Sequence, residues 1–204
     1  MEPREKILLG AEELFFKFGI KSMTMDDIAK HLAMSKKTIY QFFEDKDALV
    51  QTLVTEHIAV NEQQMKLDSQ AAKNAIEEVF VSLKHVNEMF SKTNPLLFHD
   101  LQKYHIKAWN IFKEHKDGCM TKIVIENLKR GIQEGLYRED INIKIIAQLR
   151  LQEIEMTFNP SVFPPTQYSM LTVMEQLLKH FLLGICTLKG HKLVNKHLQI
   201  IEKE

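Results

Sequence analysis

The chain has 204 residues, 45% of them hydrophobic and 26% charged, enough for one or two globular domains with a sizeable core. Twenty-seven basic side chains balance twenty-seven acidic ones, so no overall basicity draws the protein to nucleic acid or membrane, and any such contact must be local. Seven Gly and five Pro are few, ten Met are many, and with the Leu, Ile, Lys, Glu and Gln supply they favour helix, so the expected fold is all-α.

Pro3 suits a first helical turn, and Ile7, Leu8, Ala11, Leu14, Phe15 and Phe18 recur at helical spacing as far as Gly19, a C-terminal cap. Thr24 followed by Asp27 has the form of a capping box and opens a helix of about two turns with Met25, Ile28, Ala29 and Leu32 on its apolar side. Ala33 and Met34 separate it from Ser35, the N-cap of another short helix marked by Ile39, Phe42 and Phe43 and ending near Glu44. Asp45 caps the next. From Lys46 neither Gly nor Pro occurs until Pro95, which predicts two long helices divided near Asp68 and Ser69, where a second N-cap is available. Ile76, Val79, Phe80, Leu83 and Phe90 give the second an apolar side. Asn94 and Pro95 restart the chain before an aromatic segment with Phe98, Tyr104, Trp109 and Phe112, and Gly118 and Gly135 bracket a further helix. Asn142 caps a helix carrying Ile145, Ile146, Leu149 and Ile154, which stops at Asn159 and Pro160. After a loop with Phe163, Pro164 and Pro165, a broad stripe of Met170, Leu171, Met174, Leu177, Leu178, Phe181 and Ile185 leads to Gly190, and a short helix with Val194, Leu198 and Ile201 closes the chain.

Cys119 and Cys186 lie far apart without CxxC spacing, which argues against a disulfide scaffold or zinc ribbon; they read as small buried residues in a reducing cytosol. Charged residues interrupt the first sixteen positions, and the longest apolar run, Phe181 to Cys186, is far below the ~20 residues of a membrane span. A cytoplasmic protein with no membrane partner is expected.

Residues 24 to 43 hold two short helices joined by about three residues and preceded by a helix that braces them, the outline of a helix-turn-helix. The string from Thr24 to Leu49 sharpens this outline. Thr24, Ile28-Ala29, Ser35, Ile39-Tyr40, Phe42-Phe43, Lys46 and Leu49 stand where the TetR family of transcriptional repressors places Thr, Ile-Ala, Ser, an aliphatic-Tyr pair, an aromatic or His before Phe, and Lys before Leu. The segment resembles the DNA-binding part of that family over about the first fifty residues; the rest of the chain is similar in helix order and length only. Two departures have consequences. Ala33 replaces the family's usual turn Gly, so either the turn is not strongly left-handed or Ala bears strain. Phe42 replaces a His or Tyr whose polar atom can bond a phosphate, and Phe cannot do so.

The physics of the segment agrees with the resemblance. A helix entering a major groove needs a cationic, hydroxyl-bearing N-terminal face, which Ser35, Lys36, Lys37, Thr38 and Gln41 supply. Lys30, Lys36, Lys37 and Lys46 outnumber Glu44 and Asp45 locally. Lys36, Lys37 and Lys46 are expected on phosphates, Thr38 and Gln41 on base edges; Thr24, Ser35 and Tyr40, with its hydroxyl, complete the DNA-binding set. The resemblance implies a helix-turn-helix domain over residues 1–48 and a helical ligand-binding and dimerisation domain over 49–204.

The C-terminal part contains no G-x-S-x-G, H-E-x-x-H or P-loop pattern, so catalysis is not expected. No Glu precedes a His by three residues, as a di-iron bundle requires, and His99, Asp100 and His105 do not share a helix face; neither metal nor cofactor is expected. His85, Met89, Phe98, Tyr104, Trp109, Phe112 and Met120, joined by Phe90, combine thioethers, rings and a few polar handles and are expected to hold a small apolar effector. A lone helix-turn-helix reads too few bases to be specific, and the stripe around Leu178 and Phe181 is broader than one internal neighbour needs. A homodimer through residues 142–158 and 167–189 on a palindromic double-stranded operator follows as an expectation. The rivals are a small helical enzyme or lipid carrier using the C-terminal cavity, and a regulator controlled by a protein partner.

Overall fold

In the computed structural model the described residues, 1–90, 93–94 and 96–198, form eleven α-helices and no strand. Pro95 and Ile201 lie outside the described residues. Helix α1 spans Pro3–Phe18 and ends at Gly19, whose φ of +83° a residue with a Cβ adopts only under strain. Helix α2, Met25–His31, begins at a complete capping box: Thr24 Oγ1 accepts from the Asp27 amide at 3.2 Å, and the Asp27 carboxylate accepts from the Thr24 amide at 2.9 Å. Helix α3, Lys36–Tyr40, is capped by Ser35, whose Oγ accepts from the Thr38 amide at 3.0 Å. Between them Ala33 sits at φ +52°, the left-handed region, so of the two readings of this turn the strained one holds.

Helix α4, Lys46–Ala71, is one rod of ~39 Å, capped by Asp45 accepting from the Ala48 amide at 2.7 Å. The expected break at Asp68 and Ser69 does not occur. Asp68 is buried and engaged sideways, accepting from Gln64 Nε2 at 2.8 Å and bonding His85 Nδ1 at 2.9 Å, so it is not free to cap. The chain turns instead at Ala72–Asn74, where Asn74 Oδ1 accepts from the Glu77 amide and Arg130 donates to the Ser69 and Ala72 carbonyls. Helix α5 is Ala75–Phe90, α6 Leu97–Tyr104 and α7 Ile106–His115. A π-helical turn, Lys116–Met120, runs straight into α8, Thr121–Gln133, so Gly118 lies inside a continuous rod instead of starting a helix as its sequence position implied. Helices α9 (Ile143–Thr157), α10 (Met170–Ile185) and α11 (Leu188–His197) complete the fold, α9 capped by Asn142 and α11 by Thr187.

Two apolar cores result. The first joins α1 to α3 with Leu49, Val50 and Leu53 of α4 and with Leu97, Leu101, Ala108 and Trp109 of α6 and α7, so the DNA-binding helices are built onto the helices behind them. The second joins α5, α8, α9, α10 and α11 around Ile76, Leu128, Tyr137, Ala147 and Leu182. Tyr137 is fully buried and donates to Asn127 Oδ1 at 3.1 Å, while Asn127 Nδ2 donates to the Ala75 carbonyl. Leu178 and Phe181 belong to this core within one chain, which corrects their expected place on a dimer surface: other helices of the same chain already cover them.

Candidate nucleic-acid interface

Helix α3 and the turn after it put Ile39 and Phe43 into the first core, fully buried or nearly so, and this orients the opposite side outward. Ser35, Lys36, Lys37, Tyr40, Gln41 and Phe42 are exposed there, and Thr38 is half-buried with its hydroxyl 2.8 Å from that of Ser35. The lysines differ in availability. Lys36 bonds Asp26 at 3.0 Å, and Asp26, which also holds Lys30 at 2.9 Å, has its carboxyl kept below the usual carboxylate range by these two cations. Lys37 has no ion-pair partner among the described residues and stands free beside the α3 N-terminus.

Lys46 and Thr24 are occupied otherwise. The Lys46 ammonium donates to the carbonyls of Ile20 and Met23, both at 2.7 Å, and burial pushes its pKa down; it fastens the start of α4 to the α1–α2 loop. The Thr24 hydroxyl donates to the Asp27 carboxylate at 2.6 Å, so its first role is the cap of α2. Tyr40 is about half exposed, and Phe42, with no polar atom on its ring, is exposed as well.

Of the expected effector residues, the structure brings some together. Phe98 stacks on Phe158 with ring centres 3.8 Å apart and meets Phe90 and Phe112 edge-on at 5.4 and 5.7 Å. Trp109 stacks on Phe112 at 5.2 Å but is buried in the core that carries the DNA-binding helices. Tyr104 is exposed, its ring under the Lys21 ammonium at 4.8 Å, and does not join this cluster. Met89 and Met120 are half-buried, and His85 bonds Asp68. An open groove of about 400 Å³ runs between α5 and α10, lined by Phe80, Leu83, Lys84, Asn87, Glu88 and Leu171. Among the described residues Asn87 Oδ1 is buried there without a donor, an arrangement that native proteins rarely leave unfilled.

Sequence reasoning missed the ties that hold α4. Among the described residues four His–carboxylate pairs fasten it to its neighbours: Glu12–His57 at 3.0 Å to α1, Asp47–His105 to the α6–α7 junction, Glu62–His115 at 3.0 Å to α7, and Asp68–His85 to α5. Asp100 of α6 accepts from the Lys21 amide at 2.8 Å, a second link to the DNA-binding helices. The partners lie far apart in sequence, so no local spacing reveals them.

Among the described residues a short, capped, cationic helix of a helix-turn-helix is mounted on a long rod, the arrangement of a DNA-binding transcriptional regulator. Residues 7–53 match the family described as bacterial regulatory proteins, tetR family. In Bacillus subtilis (strain 168), the uncharacterized HTH-type transcriptional regulator YvaF is 27% identical over 169 residues, covering 80% of this chain and 86% of the relative. The fatty acid metabolism regulator protein of the same strain is 22% identical over 185 residues, covering 88% of this chain and 94% of the relative. The crystal structure of the transcriptional regulator FadR from Bacillus subtilis in complex with stearoyl-CoA matches with a TM-score of 0.64 at 20% identity, over 87% of this chain and 97% of that one. Over residues 7–53 the chain matches the tetR family, and over most of its length it is similar to HTH-type transcriptional regulators. Among the described residues no helix is long and apolar enough to cross a membrane.

Proposed function

We propose that this protein is a homodimeric repressor that releases a palindromic operator when a small apolar effector binds among α5, α6, α7 and α10. Residues 1–48 read DNA and residues 49–204 sense and dimerise. The observation that carries the reading is the mounting of the helix-turn-helix: Asp47–His105, Lys21–Asp100 and the shared core join the DNA-binding helices to α6 and α7, whose rings Phe98 and Phe112 belong to the effector cluster. A shift of α6 or α7 is then a shift of α3. The half-buried side of α5 and the unpaired Asn87 Oδ1 supply an apolar wall with one polar handle. Because a relative is named a fatty acid regulator and a structural neighbour holds stearoyl-CoA, a fatty acyl thioester is the first effector to test.

Dimerisation is supported by α9, where Ile145 and Leu149 are 64% and 50% exposed and share one side with Gln148 and Gln152. A two-fold dimer sets its two α3 helices on half-sites one helical turn apart, ~34 to 36 Å, or farther.

The operator is first selected from random DNA, then titrated with and without acyl-CoAs of graded chain length. The effector is expected to weaken operator binding by roughly 5- to 150-fold, and DNA to weaken effector binding by the same factor. Equal affinities in the two titrations refute the allosteric reading. Lys37→Ala is expected to weaken binding on all sequences and flatten the salt dependence, and Gln41→Ala to relax preference at one base pair. An unchanged salt slope in Lys37→Ala shows that α3 does not face DNA as assigned.

A further inference from the structure

Glu62 of α4, His115 at the end of α7 and Cys119 in the π-helical turn bring a carboxylate oxygen, an imidazole nitrogen and a sulfur within 4.8 Å of one another. His115 Nδ1 lies 3.0 Å from Glu62 Oε1; the imidazole is almost wholly buried and the carboxylate is one-third exposed. We propose that these three side chains bind a divalent transition-metal ion of the Zn2+ type, with a fourth position open to water or an exogenous ligand.

The donor set selects the ion. Mixed sulfur, nitrogen and oxygen donors suit Zn2+ and its neighbours, whereas Mg2+ and Ca2+ require oxygen cages. In a tetrahedral site with bonds of ~2.0–2.3 Å the donors stand roughly 3.3–3.8 Å apart, so the widest of the three separations needs to close by about 1 Å at most and the 3.0 Å Glu62–His115 pair to open slightly, a rotamer-scale adjustment. A carboxylate beside a thiol disfavours the thiolate unless a cation lies between them. On binding, the Cys119 S–H bond breaks, its proton goes to the buffer and the sulfur bonds the metal; thiolate and carboxylate together then cancel the ion's charge. That neutrality lets the site form beside Lys66 and Lys122, whose charges act on Cys119. The pair His115 and Cys119, four residues apart, falls on one side of a helical rod, and the π turn that holds Cys119 is a feature often found at functional sites. The ion would fasten α4 to the α7–α8 rod midway between the DNA-binding helices and the α4–α5 turn.

The test uses the full-length reduced chain without DNA, titrated with Co2+ and then displaced by Zn2+. One Co2+ per chain is expected, with a thiolate-to-cobalt charge-transfer band and the strong visible bands of a four-coordinate ion. Cys119→Ser is expected to abolish the charge-transfer band, and Cys119→Ser, His115→Gln and Glu62→Gln each to weaken binding at least ~10-fold, with helical circular dichroism preserved. Zn2+ is expected to slow alkylation of Cys119 by iodoacetamide. No binding at micromolar Co2+, binding without the charge-transfer band, unaltered affinity in all three variants, or a Cys119 equally reactive with and without Zn2+ each overturns the proposal; the last would mark an electrophile-reactive thiol instead.

Discussion

Replacing Ala33 with Gly is expected to stabilise the protein. Ala33 occupies the helix-turn-helix turn at φ +52°, where an L-residue with a Cβ is strained by roughly 1–2 kcal/mol. Gly removes that strain but adds freedom to the unfolded chain worth about 0.4–1 kcal/mol. Nothing else changes: the Ala33 side chain is exposed, and the bonds of the turn, Ala33 amide to Lys30 carbonyl at 3.1 Å and Met34 amide to Ala29 carbonyl at 2.9 Å, involve backbone only. The difference is a net gain of about 1 kcal/mol, which in a chain of this size raises Tm by roughly 2–4 °C. Thermal and urea unfolding of Ala33→Gly, with Ala33→Val as the opposite control, measure it. Val adds a branched Cβ at the same φ and is expected to lose stability. A Gly variant that melts lower than the parent would show that the turn is not left-handed in solution, and the structural account of the helix-turn-helix would fail with it.

On α9, Leu149→Glu is expected to give a folded monomer by light scattering at micromolar concentration, whereas Leu178→Glu, 2% exposed inside one chain, is expected to unfold the C-terminal core; a folded monomer from Leu178→Glu would reverse the assignment of faces. Gly131→Ala places a Cβ 2.0 Å from the buried Tyr137 ring and is expected to cost about 3 kcal/mol, read by urea denaturation; a neutral effect would show that Tyr137 does not pack there. The Asp27 carboxyl is held below its usual range by the hydroxyl and amide of Thr24. Its folded-state pKa is the lower one, so its contribution is complete above the unfolded value of about 3.9 and is lost as pH falls through the folded value. Asp27→Asn should lower Tm at neutral pH, with the gap to the parent narrowing in acid; a gap independent of pH would separate Asp27 from the capping box.

Helices whose signals are local were legible along the chain. Thr24, Ser35, Asp45 and Asn142 each cap the helix that their position implies, because an N-cap acts within three residues of itself. The helix-turn-helix and its likeness to the tetR family followed from the same short-range pattern, Thr24 to Leu49. Whatever depends on distant partners was settled by packing. Asp68 carries the side chain of an N-cap, yet His85 and Gln64 claim its carboxylate, and the helix runs through it to Ala71. Lys46 carries the charge of a phosphate contact, yet two carbonyls of the α1–α2 loop claim its ammonium. The stripe on α10 shows that a face is apolar without saying whether its own chain or a second copy covers it; packing within the chain consumes Leu178 and Phe181 and leaves Ile145 and Leu149 of α9 open. Helical periodicity records which side of a rod avoids water, and only the placement of the other rods says what takes the water's place.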